Sequence, residues 1–441
     1  MFIYTSVKIT IFAHQIMKSK RPFLFLIVSD YPYGFGEPFL EVELKIISVY
    51  FEKIYLILPE KINKSKNKPL FIIPQNAEII ELDSSINIVN KITSLRFFYT
   101  KSWKMERSAI NSLYKQSFNF FHLKTLLGFQ AKASFFAKKL EKLIFSLGHP
   151  LESVLIYNYW FSYFTAGTAK IKEKFPKIKV ITRSHRWDCF FYANPNNYLP
   201  LRPWSIQTID GVFPISEAGV KHTKEMLPQN ISYNIKCYRL GIEDLALPKT
   251  KLKVKGKLRI ISIAFISLVK RIDKIIDALA ETNHSEFNWT HIGASSAADN
   301  LDIQHYARKK LQNKINVKFE FLGEMSKNEI YEFLQSQQID ILLCTSDSEG
   351  IPVSMMEALG HGIPIVSLNI GGVNEIVING QNGELLQPDA NANRIASSLE
   401  KWATMDFLEY ETFSKNGYEV YLKRYSASKN YQTFYNEVLN Q

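Results

Sequence analysis

The sequence contains few cysteines. Its 441 residues include three, Cys189, Cys237 and Cys344, which lie far apart and lack the close spacing typical of a zinc site. An odd and dispersed set of thiols is not a disulfide framework. We therefore expect a reduced, cytoplasmic environment with neither disulfides nor structural zinc.

Long apolar runs are also lacking. Crossing a bilayer takes about twenty consecutive apolar residues, and the opening MFIYTSVKITIFAHQIMKSKR is interrupted by Lys8 and His14. It also lacks the small-residue cleavage site of a signal peptide. We expect residues 1–21 to form an extension outside the folded domains that need not be ordered, with Met17 as an alternative start.

Several cofactor patterns are missing as well. In YGFGEPF the third glycine of the dinucleotide-binding fingerprint is replaced by Phe39. No Asp-x-Asp stands at a suitable strand end, no pyridoxal-phosphate lysine motif is identifiable, and there are no internal repeats. We therefore expect no metal and no tightly bound cofactor.

Positive charge is in excess: 54 Lys and Arg face 42 Asp and Glu, for a net charge of +12. From Lys91 to Lys142 basic residues alternate with Phe, Tyr and Trp. One interpretation is a surface that contacts an anionic membrane; the other is ordinary helices with aromatic core faces and solvated lysines. Nucleic acid is a weaker candidate because no binding motif accompanies the charge.

Strand-like and helix-like segments alternate along the chain, which predicts an α/β protein with doubly wound parallel sheets. The length favours two domains. We place the first at 22–247, the second at 248–420 after a Lys/Pro/Gly-rich linker, and a final helix at 421–441 that crosses back to the first domain. The expected strands are PFLFLIVSD, KIYLILP, VLIYNYW, KVITRSH, GVFP, LRIISIAF, FNWTHIG, VKFEFLGEM, IDILLCTS and IPIVSL.

The segment CTSDSEGIPVSMMEALGHG reads as strand, turn and helix. A helix that starts near Pro352 directs free N–H groups and the positive end of its dipole at the preceding turn, which favours a phosphate group. Glu349 lies in that turn, and Glu357 lies more than one helical turn inside, where a carboxylate can bind the hydroxyls of a ribose. Taken alone, Glu357 is better explained as a helix surface residue.

Three further clusters lie after predicted strands. Lys270 and Arg271 can neutralise a diphosphate, although such a pair is usually a solvated helix start. Gly34 and Gly36, followed by Glu37 at the opening of a helix, allow a ligand to approach the backbone, a weak signal on its own. His185, in the sequence RSHRWD with Arg183, Arg186 and Asp188, can orient a sugar hydroxyl or serve as a structural histidine.

Together these motifs resemble the retaining glycosyltransferases of family 4, in particular bacterial enzymes of capsule, exopolysaccharide and lipopolysaccharide assembly. The segments that carry the resemblance are YPYGFGEPFLEVE, RSHRWD, LVKRIDKIIDAL, EGIPVSMMEALGHGIPIV and GGVNEIV. The resemblance implies the GT-B fold, with two Rossmann-like domains facing across a cleft, the nucleotide sugar held by the second and the acceptor by the first.

Site roles follow from this resemblance residue by residue. Catalytic roles fall to His185 near the reacting sugar, to Glu349 on the sugar side of the donor, to Lys270 as the basic ligand and to Arg271 as a second cation. Donor binding is assigned to Gly36, Gly350, Pro352, Val353, Ser354 and Glu357. Two departures are Phe265, at a position where the family usually has arginine, and the altered GASSAADN loop.

The implied activity is that of a metal-independent, retaining hexosyltransferase without a cofactor. The expected partners are a UDP- or GDP-sugar and a glycan or polyprenyl-diphosphate-linked saccharide acceptor, and the expected location is the cytoplasmic face of the inner membrane. A non-catalytic nucleotide-sugar-binding or scaffold protein of a polysaccharide assembly complex stays open as the alternative. An epimerase related to GT-B enzymes is a further alternative, whereas phosphorolysis is disfavoured.

Overall fold

The computed structural model describes residues 21–34, 36–61, 68–83, 100–228, 232–248, 252–295 and 302–440. Two compact units are present: Met1–Leu240 together with Ala427–Gln441, and Gly241–Ser426. The sequence placed the division at 247/248 and the start of the crossing helix at 421. The expectation for residues 1–20, including Met17, and the part of the aromatic-basic stretch before Thr100 lie outside the described residues.

The first unit is built on a six-stranded parallel sheet. Its strands are β1 (Phe23–Ile27), β2 (Lys53–Leu58), β3 (Ala77–Glu81), β4 (Val154–Asn158), β5 (Lys179–Ser184) and β6 (Gly211–Pro214), in the spatial order β3-β2-β1-β4-β5-β6. The central strands β4 and β5 are buried along their whole length, because helices cover both faces of a doubly wound sheet.

Among the described residues, six helices of this unit precede the second unit in the chain: α1 (Phe39–Ile47), α2 (Lys101–Ser112), α3 (Phe120–Leu147), α4 (Tyr163–Lys174), α5 (Arg202–Thr208) and α6 (Glu217–Glu225). The longest, α3, starts where the Asn119 side chain accepts a hydrogen bond from the His122 N–H. It ends at Gly148, whose φ of 69° suits glycine.

The second unit repeats the architecture. Its strands are β7 (Lys257–Ile263), β8 (Glu286–Ile292), β9 (Val317–Gly323), β10 (Ile341–Cys344), β11 (Ile365–Leu368) and β12 (Gly383–Leu386), in the order β12-β11-β10-β7-β8-β9, all parallel. Its helices are α7 (Ile272–Glu281), α8 (Ile303–Leu311), α9 (Lys327–Ser336), α10 (Val353–Gly360), α11 (Ala392–Thr404) and α12 (Phe407–Arg424).

The last helix, α13 (Ala427–Asn440), belongs to the first unit and packs against α1. The hydroxyl of Tyr435 donates to the buried carboxylate of Glu43 (3.3 Å), which lies 3.9 Å from the buried guanidinium of Arg183. Phe434 lies beneath that guanidinium, 4.6 Å from the ring centre. Arg183 on β5 thus contacts side chains of both α1 and α13, and these contacts hold α13 in place.

The strand order reverses direction between β1 and β4 in the first unit and between β7 and β10 in the second. In open α/β sheets, ligands bind outside the carboxyl ends of the strands at this switch point. The loops that matter are therefore those after β1, β4, β7 and β10. Within the described part of the chain, no helix combines the length and apolarity needed to cross a membrane.

Candidate functional site

The loops after β7 and β10 are hydrogen-bonded to each other. The N–H of Asp347 donates to the carbonyl of Val269 (2.8 Å), and the hydroxyl of Thr345 donates to the carbonyl of Arg271 (2.8 Å). Because β7 and β10 are neighbours, these two segments leave the sheet side by side. This places the sequence-predicted Lys270 and Glu349 together at the switch point.

Lys270 and Glu349 form an ion pair. The Lys270 ammonium donates to Glu349 Oε1 at 2.7 Å, with side-chain exposures of 28% and 10%. Removing either side chain would leave the charge of the other one without its partner and poorly solvated. The ammonium of this pair can therefore bind a phosphate oxygen, and its carboxylate can accept a hydrogen bond from a sugar hydroxyl.

A two-glycine turn supports the backbone of this loop. Gly371 has a φ of 50°, and a Cβ on it would lie 1.9 Å from the Glu349 carbonyl oxygen; a Cβ on Gly372 would lie 2.6 Å from that of Gly350. Backbone packed this closely leaves no room for a side chain. The GGVNEIV motif thus holds Glu349 and Gly350 in place, a role that the sequence had not revealed.

Helix α10 begins directly after this loop. Pro352 is its N-cap residue, and Val353 and Ser354 are the first two helical positions. The N–H groups of the first helical turn have no partner within the helix, and the dipole adds positive potential there. Pro352, Val353 and Ser354 are all partly exposed, so a ligand anion can reach this end of the helix.

Glu357 lies one turn further along α10 and is buried, with 6% exposure. Burial raises the pKa of its carboxyl group to about 7, and the positive charge of Lys327 only partly opposes this. A carboxylate that is shielded from water in this way is strongly stabilised by hydrogen bonds from the hydroxyl groups of a ligand. The structure thus disfavours the interpretation of Glu357 as an ordinary surface residue.

Arg271 is engaged with carboxylates. Its guanidinium donates to Asp273 (2.9 Å) and to Asp347 (3.0 Å), and its φ of 50° turns the chain into α7. A role of Arg271 on a diphosphate would require a rearrangement of these contacts, and that role stays a prediction. Phe265, which departs from the pattern implied by the resemblance, is 61% exposed.

His185 directly follows β5 in the first unit. Its backbone N–H donates to the buried carboxylate of Asp188 (2.5 Å), which also accepts from the N–H of Phe161 (2.7 Å). The imidazole packs against Tyr159 and Trp160, with ring centres 4.8 Å and 4.3 Å away. Asp188 therefore ties the loops after β4 and β5 together, a role that sequence reasoning missed although the residue lies in the RSHRWD motif.

The loop after β1 is tightly turned. A Cβ on Gly34 would lie 1.8 Å from the Asp30 carboxylate, and one on Gly36 would lie 3.1 Å from it. The helix that follows begins at Phe39 rather than Glu37, because Pro38 takes the N-cap position. The buried Glu37 carboxylate instead turns back to accept from the N–H groups of residues 29–31 and from Trp160 Nε1 (2.6 Å).

A cavity of about 570 Å³ in the second unit lies elsewhere, at the C-terminal ends of α9 and α10. Leu245, Tyr331, Gln338 and His361 are among its lining residues, which include no lysine or arginine, so it is not suited to a diphosphate. Among the described residues, no group of three or more His, Cys, Asp or Glu side chains is placed to hold a metal ion.

Several named proteins match parts of the chain in sequence. The colanic acid biosynthesis glycosyltransferase WcaL assigned in Salmonella typhimurium is 26% identical over 239 residues, which cover 52% of this chain and 56% of WcaL. The amylovoran biosynthesis glycosyltransferase AmsK of Erwinia amylovora is 29% identical over 171 residues, 36% of this chain and 40% of AmsK. The chain spans about half the length of the curated relatives it matches.

Structural similarity extends over nearly the whole chain. The crystal structure of Anabaena HepE in complex with UDP and glucose superposes with a TM-score of 0.61 at 15% identity, and the match covers 96% of this chain and 100% of HepE. This confirms the predicted GT-B fold. Residues 245–420 match the family of glycosyl transferases group 1, the part of the chain that contains Lys270, Glu349 and Glu357. The match to the group 1 glycosyl transferases thus lies within the second unit of a chain that has the GT-B fold.

Proposed function

We propose that this protein is a retaining glycosyltransferase that moves a hexose from a nucleotide-diphosphate sugar to a hydroxyl of a glycan or lipid-linked saccharide in cell-surface polysaccharide synthesis. The observation that carries the proposal is the Lys270–Glu349 ion pair at the start of α10, at the switch point of the second sheet. WcaL and AmsK are named for exopolysaccharide synthesis, which supports the product class.

The second unit binds the donor. The N-terminal amides of Val353 and Ser354 hold the diphosphate, Glu357 accepts hydrogen bonds from the ribose hydroxyls, and Glu349 accepts from hydroxyls of the sugar. Lys270 neutralises the negative charge that grows on the leaving diphosphate. The acceptor hydroxyl attacks the oxocarbenium-like sugar on the face that the diphosphate leaves, and a departing phosphate oxygen takes the proton. No nucleophile from the protein is needed.

The donor class is tested by a thermal-shift comparison of UDP-, GDP- and ADP-sugars at one concentration, followed by nucleotide release in the presence of saccharide acceptors. HepE was crystallised with UDP and glucose, so UDP-glucose is the first candidate. We expect the sugars of one nucleotide to raise Tm. We also expect these nucleotide sugars to be consumed as the sugar is transferred to an acceptor. Binding without transfer to any acceptor would favour the non-catalytic alternative, and a lack of binding would contradict the proposal.

Replacing His185 with alanine should lower kcat by about thirtyfold while Tm falls by only a few degrees. Neither imidazole nitrogen has a hydrogen-bond partner among the described residues, so the folded protein loses no internal hydrogen bond with the ring. Steady-state kinetics and calorimetry on the same preparation separate the two effects. A large drop in Tm with normal kcat would assign His185 a structural role instead.

Activity should be unaffected by chelation. The proposed mechanism neutralises the leaving group with Lys270 and the start of α10, so it contains no step for a divalent cation. The measurement is nucleotide release after treatment with EDTA and after addition of Mg²⁺ or Mn²⁺. Turnover that disappears with EDTA and returns with either ion would overturn metal independence.

Helix α3 offers a surface for an anionic membrane. Its inward face supplies core residues such as Phe136 and Ile144, while Phe120 and Phe145 are 77% and 51% exposed. Five exposed lysines lie on the same outward side at helical spacing: Lys124, Lys132, Lys138, Lys139 and Lys142. The buried face and the solvated lysines fit an ordinary amphipathic helix, and we propose in addition that the outward side binds an anionic membrane peripherally.

Changing Lys124, Lys132 and Lys139 together to glutamine should weaken partition onto vesicles containing phosphatidylglycerol by about a hundredfold, since each such lysine near the surface contributes about 1 kcal/mol. Flotation at low and high salt measures this. A matched variant with glutamine at the exposed Lys255, Lys309 and Lys318 of the second unit should partition like the unchanged protein. An equal loss of vesicle binding in both variants would show that only the net charge matters, and it would contradict binding through α3.

A further inference from the structure

An aromatic cluster in the first unit stands beside His185. The ring centres of Trp160 and Trp187 are 5.3 Å apart, at an interplanar angle of 39°, and Trp160 in turn packs on the His185 imidazole. All three residues follow β4 or β5, next to the switch point of the first sheet. We expect His185 to contribute to turnover, whereas the two indoles have no role in the proposed mechanism.

Trp187 is open to solvent. The chain has six tryptophans, all within the described residues, and Trp187 alone is exposed, at 44%. A lone exposed aromatic residue is common on protein surfaces, but Trp187 belongs to a cluster, because its ring packs on that of Trp160. Its backbone is not loose, because the side-chain amide of Asn194 donates to the Trp187 carbonyl at 2.6 Å. The ring is therefore presented on a fixed loop.

Trp160 is fixed from the opposite side. Its indole N–H donates to the Glu37 carboxylate, which also binds the backbone after β1, and the Tyr159 ring packs edge-on against it with centres 5.3 Å apart. The polar edge of this indole is thus satisfied inside the protein. What remains available is aromatic surface, held rigidly before any ligand arrives.

His185 adds an unsatisfied polar group. Its side chain is 9% exposed and its ring nitrogens lack hydrogen-bond partners among the described residues; the nearest acidic oxygen, on Asp188, is 3.7 Å from Nδ1. A buried imidazole without a partner costs stability unless a ligand supplies one. An apolar ring face beside one free hydrogen-bonding group matches a pyranose, which has an apolar C–H face and equatorial hydroxyls at its edge.

We propose that Trp160, Trp187 and His185 form a saccharide-stacking subsite, in which an acceptor pyranose lies on the Trp187 face and directs a hydroxyl to the His185 imidazole. The inference rests on the proposed function and deepens it: the acceptor presents a sugar ring here, rather than a lipid chain or a polypeptide. An exposed indole also suits a lipid interface, and that outcome is separated by the experiment.

The test uses saturation-transfer NMR on the full chain without nucleotide sugar, with methyl β-D-glucopyranoside and methyl β-D-galactopyranoside as probes and sorbitol as the acyclic control. We expect transfer to the C–H protons of one pyranoside face and none to sorbitol. Trp187→Ala should abolish it and Trp187→Phe should retain part. Tyr192→Ala is the matched control, because Tyr192 is 57% exposed on the same loop but stacks on Phe190.

Kinetics provide a second readout once a saccharide acceptor is known. Trp187→Ala should raise KM for that acceptor about tenfold, the effect of losing one aromatic stack, while KM for the nucleotide sugar stays unchanged. Unchanged binding of the pyranosides by Trp187→Ala, equal binding of sorbitol, or no binding of either pyranoside to the unchanged protein would overturn the subsite. Failure of the proposed function would appear separately, as absent nucleotide-sugar binding with pyranoside binding intact.

Discussion

Replacing Lys270 with alanine should lower kcat about a thousandfold, the largest effect we expect from any single change. Lys270 is 2.7 Å from Glu349 and at the edge of the sheet where the diphosphate is proposed to leave. The charge on that diphosphate grows in the transition state, so the loss falls on kcat more than on the Kd of the nucleotide sugar. Single-turnover kinetics and calorimetric binding measure the two quantities separately.

A neighbouring lysine provides the control. Lys274 pairs with the half-exposed Asp347 at 3.2 Å, and such pairs contribute less than about 1 kcal/mol. Lys274→Ala should therefore keep kcat within about twofold. Lys270→Ala also leaves Glu349 without its partner, so Tm is recorded for both variants. If Lys270→Ala folds normally and keeps kcat within about threefold, Lys270 does not stabilise the leaving group.

Replacing Glu357 with alanine should weaken binding of the nucleotide sugar about a hundredfold. Two ribose hydroxyls donating to one buried carboxylate form charge-assisted hydrogen bonds, each worth about 1.5–3 kcal/mol. Isothermal titration with the authentic nucleotide measures the change. Glu332→Gln is the matched control, since Glu332 is exposed on α9 and should bind like the unchanged protein. Equal Kd values for Glu357→Ala and the control would remove Glu357 from the site.

The same residue predicts a pH dependence. Burial raises the pKa of Glu357 from 4.5 to about 7, so between these values the folded state holds a proton that the unfolded state has lost. The free energy of unfolding therefore falls as pH rises from about 4.5 to about 7, by up to about 3 kcal/mol from this group. Glu357→Gln should flatten that slope in chemical denaturation.

Binding of the nucleotide sugar should change with pH in the opposite direction. The ionised carboxylate accepts hydroxyl hydrogen bonds better than the neutral acid, so Kd should decrease as pH rises through about 7. In Glu357→Gln the Kd should be higher and independent of this titration. An identical pH profile in both proteins would show that another group controls binding.

The central strands were predictable from the sequence, but two edge strands were missed. Segments such as VLIYN and ILLC are continuous apolar runs because both of their faces are covered, and the sequence identified them. β3, with the sequence AEIIE, and β12, with GELL, are the outermost strands on one side of each sheet and contain charged residues. A strand with one neighbour and partial exposure lacks the apolar run on which the prediction relies.

The boundary between the two compact units lies several residues before the division expected from the sequence. The sequence signal was the Lys/Pro/Gly-rich segment after Pro248, whereas the compact units divide at Leu240 and Gly241. The hydroxyl of Tyr421 accepts from the N–H of Leu245 and donates to the carbonyl of Glu243, which holds the segment after Gly241 on the second unit. These contacts join residues about 175 positions apart, so the local composition of the segment does not indicate them.

The sequence by itself determined the elements and the local motifs of this protein. Hydrophobic runs specify the strands, and the eight-residue spacing places Glu349 before α10 and Glu357 within it, because helix geometry is local. Tertiary structure alone decided the pairing of Lys270 with Glu349, the close approach of Gly371 to the Glu349 carbonyl, and the stacking of Trp160 on His185. Each of these depends on which strands are neighbours, and that follows from burying both sheet faces at once rather than from any short segment.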